Sequence, residues 1–205
     1  VGYGITRKNM YSDFQVKYNI LQQTRKNTIP VTVTLYGNMA IDGRNKSVFT
    51  TATADSTYKF ANRLSYFTQV MVSRKFNDWF SFSVNGSFTH YNTVKADTAG
   101  VKGMNHDQIG VGFMGRFKFS PQSSIVFHYS IPLDIESIKE NTMVTNKPKS
   151  NFGIGYQVAT ATHAFEIFIS ASNGIIPQDT YMYNTSDWTD GEFRIGFNIT
   201  RLWGF

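Results

Sequence analysis

Gly191 to Phe205 reads G-E-F-R-I-G-F-N-I-T-R-L-W-G-F. Phe193, Ile195, Phe197 and Ile199 alternate with Glu192, Arg194, Gly196, Asn198 and Thr200. Successive side chains on a strand point to opposite faces, so a period of two predicts a β-strand with one apolar and one polar surface. The apolar face runs on past Arg201 to Trp203 and ends on the terminal Phe205.

The same pattern recurs along the whole chain. The start, V-G-Y-G-I-T, is strand-like. Phe14, Val16, Tyr18 and Ile20 then alternate with Asp13, Gln15, Lys17 and Asn19 in a strand predicted from Tyr11 to Gln23. A third strand is predicted from Val31 to Ile41. Further strands are centred on Val70, Val84, Val111, Phe127, Ile154 and Ile167. With the closing strand this gives about ten, and no helical segment is predicted between them.

After the first connection, short turns alternate with long polar loops. The turns include Asn77-Asp78, Ser120 to Ser123 and Thr160 to His163. The loops are Asp42–Thr57, Asn92–Asp107, Asp134–Ser150 and Asn173–Asp190. In an antiparallel meander this collects all short turns at one end and all long loops at the other, as in transmembrane barrels.

Length and composition agree. A chain of 205 residues suffices for one closed barrel, and residues 1–205 are read as a single domain. Hydrophobic residues make up 41% and mean hydropathy is −0.28, with no apolar run near the length of a membrane helix. Half-apolar membrane strands escape that criterion. The chain has 18 Phe, 11 Tyr and 3 Trp, enough for lipid-facing walls with aromatic girdles. Aromatics gather near the short-turn end at Phe76, Trp79, Phe119, Trp203 and Phe205. With no cysteine, disulfides, thiol nucleophiles and thiolate metal sites are excluded. The net charge is +6, but the basic residues are spread through turns and loops, without the stripe that nucleic-acid binding needs.

The polar face decides between a soluble and a membrane barrel. It carries Arg63, Arg116, Lys118, Glu166 and Arg194, which suit a wet lumen, while the apolar face is too crowded with Phe to fill a small interior. The expected fold is an all-β, antiparallel, up-and-down transmembrane barrel.

An aromatic last residue on the apolar face of a last strand resembles the end of bacterial outer-membrane barrels, the signal read by the barrel-assembly machinery. Trp203 and Phe205 would carry it. Three stretches resemble an uncharacterised outer-membrane β-barrel family of Bacteroidetes-type bacteria. They are Val1 to Gln23 (notably Asp13, Lys17, Tyr18 and Gln23), Ala164 to Pro177, and the Gly-Phe-Asn-Ile core at Gly196 to Ile199. The resemblance implies a bacterial outer-membrane location, with long loops extracellular and short turns and the C-terminus periplasmic. It also implies a signal peptide and about two more strands before the point matching Val1, hence a barrel of about twelve; the start at Val1, without Met and already strand-like, is itself read as that of a mature or truncated product. It implies no substrate.

Candidate functional residues lie on the polar face. Asp13, Lys17, Arg63, Arg116, Lys118, Glu166, Glu192 and Arg194 are expected to point into the lumen, either as a selective ring or as salt-bridged filling. His128 and Ser130 are two apart on one strand, as in outer-membrane lipid hydrolases where His activates Ser, with Glu140 or Asn141 to orient the imidazole. Phe127, Tyr129 and Ile131 take the lipid side, so the pair is read as polar lumen residues and no catalytic residue is expected. The four histidines show no metal spacing, and the Asp179–Asp190 loop reads as a solvated loop rather than a Ca²⁺ site. Neither metal nor cofactor is expected. Gly110/Gly112 and Gly153/Gly155 lie inward, where glycine bends a strand or leaves space. Tyr181, Met182, Tyr183 and Trp188 either form a protein-binding surface or fold over the barrel mouth.

The expected function is a structural or accessory component of a larger outer-membrane assembly. Its partners would be outer-membrane lipids, the assembly machinery and other outer-membrane or periplasmic proteins. The alternative is a narrow porin-like channel for small hydrophilic solutes, and a lipid-modifying hydrolase is the remotest reading.

Overall fold

The computed structural model describes residues 1–50, 58–94, 104–138 and 147–201. Ten strands are present: β1 (Gly2–Ile5), β2 (Ser12–Leu21), β3 (Thr32–Ile41), β4 (Leu64–Lys75), β5 (Phe80–Tyr91), β6 (Asp107–Lys118), β7 (Ser123–Leu133), β8 (Asn151–Ala159), β9 (His163–Ser170) and β10 (Arg194–Arg201). They form one antiparallel sheet in strict sequence order. This is the up-and-down wall expected from the alternation. The middle strands β4, β5 and β6 have 12 residues each, enough for a tilted crossing of a bilayer.

Burial is inverted relative to a soluble protein. Asn38, Gln69, Asn85, Thr89, Ser124 and Asn151 are buried on the concave face. Val70, Val84, Phe88, Ile125, Ile154 and Ile167 stand exposed on the convex one. An apolar surface this continuous has no stable place in water. In hydrocarbon it is favourable, because the sheet ladders satisfy the backbone and leave only side chains to meet lipid.

The ladders are regular from β3 to β10. One irregularity lies between Asn19 and Leu21 opposite β3. There an extra residue bends β2 near the short-turn end. Among the described residues no ladder joins β10 to β1. At that seam Lys8 Nζ donates to the carbonyl of Asn173 at 3.4 Å and to its side-chain oxygen at 3.1 Å.

The sequence reading is corrected in two places. Short helical turns do occur between strands, among the described residues α1 (Ser47–Thr50), α2 (Pro177–Met182) and three 3-10 turns. The closing strand starts at Arg194 and not at Gly191. Gly191 has φ +77°, a left-handed conformation that glycine adopts without strain. Asp187 accepts from the backbone N–H and hydroxyl of Thr189, which closes a turn just before it. Glu192 therefore belongs to the loop, where its carboxylate accepts the Asp187 N–H at 2.7 Å.

At the short-turn end the aromatics form pairs. Trp79 meets Phe117 edge-on at 5.1 Å, Phe76 stacks on Phe80 at 5.7 Å, and Phe119 stacks on Tyr156 at 6.1 Å. Trp79 and Tyr156, apolar rings that each carry one polar atom, suit the level where hydrocarbon meets headgroups.

Candidate functional site

The site is the mouth of the lumen at the long-loop end. The β9–β10 loop turns inward there and seats α2 between the walls. Proline at the first helical position suits a helix start, since its missing N–H would have no partner there. Gln178, Asp179, Tyr181 and Met182 of α2 are all buried.

Each of these side chains has a partner on the wall. Gln178 donates from Nε2 to Asn38 Oδ1 at 2.7 Å. Tyr181 stacks on Phe67 at 5.7 Å between centroids, and its hydroxyl reaches Asn85 Oδ1 at 3.4 Å. Met182 packs with Tyr91 and Met104. Asp179 is the hub. Its Oδ1 accepts from the hydroxyls of Tyr91 at 2.8 Å and Tyr11 at 3.3 Å, and its Oδ2 pairs with Lys8 Nζ at 3.0 Å. Burial, and then the charge of Asp179, push the Tyr11 hydroxyl far above its ordinary range, so it stays a donor.

The loop around α2 is fixed as well. Asn184 donates from Nδ2 to the carbonyls of Lys149 and Ser150 at 3.1 and 3.2 Å. Trp188 donates to Ser150 Oγ at 3.1 Å and meets Tyr129 edge-on at 6.0 Å. Tyr181 and Met182, read from sequence as either a binding surface or a mouth cover, fill the mouth.

Below α2 the lumen is open. A cavity of about 260 Å³ lies directly under it, bounded by Tyr36, Phe67, Gln69, Asn85 and Ser130. A wider one of about 700 Å³ continues toward the short-turn end, past Ser83, Arg116, His128, Glu166 and Asn198.

The expected lumen charges are dispersed over this frame. Asp13 is buried on β2 and accepts from Asn38 Nδ2 at 3.0 Å, next to the α2 contact. Arg116 and Glu166 border the wide cavity, and Arg116 Nε donates to Ser124 Oγ at 3.1 Å. Lys17 is exposed on β2, and Lys118 ends β6 at the short-turn end. Arg194 tops β10, donating to the Ala171 carbonyl at 2.6 Å and to Ser186 at 2.8 Å, and so ties the loop to the wall.

Arg63 stands outside the strand wall and closes a 3-10 turn at the mouth. Its Nη1 donates to the carbonyls of Asp42 and Arg44 at 2.7 and 2.5 Å, and its guanidinium lies over the rings of Phe49 and Tyr58 at 5.0 and 5.3 Å. The carbonyl partners come from a loop, which no strand period can place. Trp203, Phe205, Glu140 and Asn141 lie outside the described residues.

His128 and Ser130 share the lumen face, but the imidazole turns to Asn151. Asn151 Oδ1 already accepts from Ser170 Oγ at 2.9 Å and Ser172 N–H at 2.7 Å. Its Nδ2 therefore donates to His128 Nε2, 2.6 Å away, which puts the ring proton on Nδ1. Among the described residues no group of three His, Asp or Glu is placed to hold a metal.

The sequence reading missed the Asp179 hub. Its partners Lys8, Tyr11 and Tyr91 come from distant segments, and only the closed mouth joins them.

No curated protein and no solved structure matches this chain. Sequential antiparallel strands, an apolar outer face, a polar inner face and an aromatic end are the features of a membrane barrel. Residues 1–203 match the family described as Membrane bound beta barrel domain (DUF5777), and the chain belongs to that family.

Proposed function

We propose that this protein is a structural or accessory component of a larger outer-membrane assembly, without catalytic chemistry. The observation that carries the reading is α2 in the mouth, held by Asp179, Gln178 and Tyr181 against the walls. A barrel built for passive flow leaves its mouth open, whereas one built as an anchor is free to fill it. Long loops and α2 face the exterior, and the aromatic short-turn end and the C-terminus face the periplasm. Outer-membrane lipids contact the convex face, and Trp203 with Phe205 engages the barrel-assembly machinery.

Affinity purification of the tagged protein from outer membranes in mild detergent tests this. The reading expects a partner at fixed stoichiometry that survives gel filtration. Recovery of the barrel alone under several detergents overturns it. The lower cavity of about 700 Å³ favours a second reading, a narrow porin-like channel.

A further inference from the structure

The lumen has space on both sides of α2. Beneath it lie the 260 and 700 Å³ cavities, which share Met114 and His128 on their walls. Above it a cavity of about 160 Å³ is walled by Lys8, Arg44, Arg63, Tyr91 and Asp179. The partition between them is one helix of six residues.

The partition is held mainly by polar contacts. Among the described residues, four buried side-chain atoms on α2 and on the β4 and β5 walls have no protein hydrogen-bond partner: Asn85 Nδ2, Gln178 Oε1, Ser65 Oγ and Thr89 Oγ1. Ser65 lines the upper cavity and Asn85 the one below. Buried polar groups without a protein partner suit a mouth that water can enter.

We infer that the barrel has a second activity: it carries a latent path for small hydrophilic anions, closed at rest by α2 and opened when α2 leaves the mouth. The sign follows from the walls. The wide cavity is bordered by Arg74, Lys75 and Arg116 against Glu166, and the upper one by Lys8, Arg44 and Arg63 against Asp42 and Asp179. Basic side chains exceed acidic ones in both, and a constriction lined by basic groups favours anions. This goes beyond the anchoring role, which needs only the closed state.

The test is planar-bilayer recording of full-length protein in a potassium chloride gradient. Two variants are compared with wild type: Asp179→Asn, which keeps the shape of the hub and weakens its pairing with Lys8, and Asp179→Ala combined with Tyr181→Ala, which removes two of the three anchors and leaves Gln178 on Asn38. Folding is checked by heat-modifiable migration. Wild type is expected to be silent. The double variant is expected to give ohmic steps with a reversal potential shifted toward that of chloride, and Asp179→Asn briefer openings. Adding Arg116→Ala reduces the chloride shift. Silence from folded Asp179→Asn and folded double variant overturns the inference and leaves the anchoring role standing. If the double variant does not fold, Asp179→Asn alone decides. Steps with a potassium preference also overturn it.

Discussion

The Tyr181 ring lies over Gly110 so closely that a methyl group on Gly110 would overlap it. This contact joins α2 to β6 and makes glycine necessary in the middle of a strand. Gly110→Val is therefore expected to expel the ring and destabilise the barrel by about 1–3 kcal/mol, the usual cost of overpacking. Gly86→Ala is the control, because a methyl group there meets nothing within 4 Å. Urea unfolding in lipid vesicles reads both, and equal midpoints would show that the ring does not need the space.

The Asp179 hub makes a second prediction. Its carboxylate is 3% exposed as a residue and takes two tyrosine hydroxyls and one ammonium. Hydrogen bonds to a charged group contribute about 1.5–3 kcal/mol. Asp179→Ala should lower stability by that order and make the 173–193 loop a protease target. Lys8→Ala should cost less, about 0.2–1 kcal/mol, because the Lys8 side chain is 34% exposed. A larger loss for Lys8 than for Asp179 would contradict the assignment of the hub.

How much of this was legible beforehand differs by element. The strands were, because Phe14, Val16 and Tyr18, or Phe193, Ile195 and Phe197, repeat every second residue whatever their surroundings. Gly110 and Gly112 were read as inward glycines that bend a strand or leave space; the neighbours that need the space, Tyr181 at Gly110 and Asn85 at Gly112, were not foreseen. The plug was legible only as one of two alternatives for Tyr181 and Met182, a binding surface or a cover over the mouth, and its helix was not legible at all. Six residues, Pro177 to Met182, are too few to show a helical period, and their burial depends on walls far away in sequence. Arg63 and Glu192 illustrate the same limit: alternation extrapolated beyond a strand end assigns a face to residues that a loop re-aims.

The apolar outer row gives a third prediction. Val70 lies mid-strand on β4 and is 47% exposed. If that row meets lipid, Val70→Arg costs about 2–4 kcal/mol in vesicle unfolding, as for a basic residue at the bilayer midplane. A neutral result would place the row in water and remove the membrane orientation.

The last loop has its own pH response. Asp187 is held down at about 2, first by the Thr189 hydroxyl, then by the Thr189 N–H, then by the Lys149 ammonium. A carboxylate depressed below its unfolded value of about 3.9 stabilises the fold above that value, and the contribution is lost as pH falls through about 2. The turn at Asp187 should thus persist at pH 3. Carboxyl-carbon NMR of Asp187 checks it, and a midpoint near 4 would show that the turn does not form.

The central claim is that a membrane barrel is closed by its own last loop, and single-channel recording of the wild-type protein tests it most directly. The expected result is a folded, inserted barrel that passes no resolvable current at moderate voltage. Reproducible ohmic steps from unmodified protein would contradict it, because they require a continuous water path through the mouth that α2 occupies.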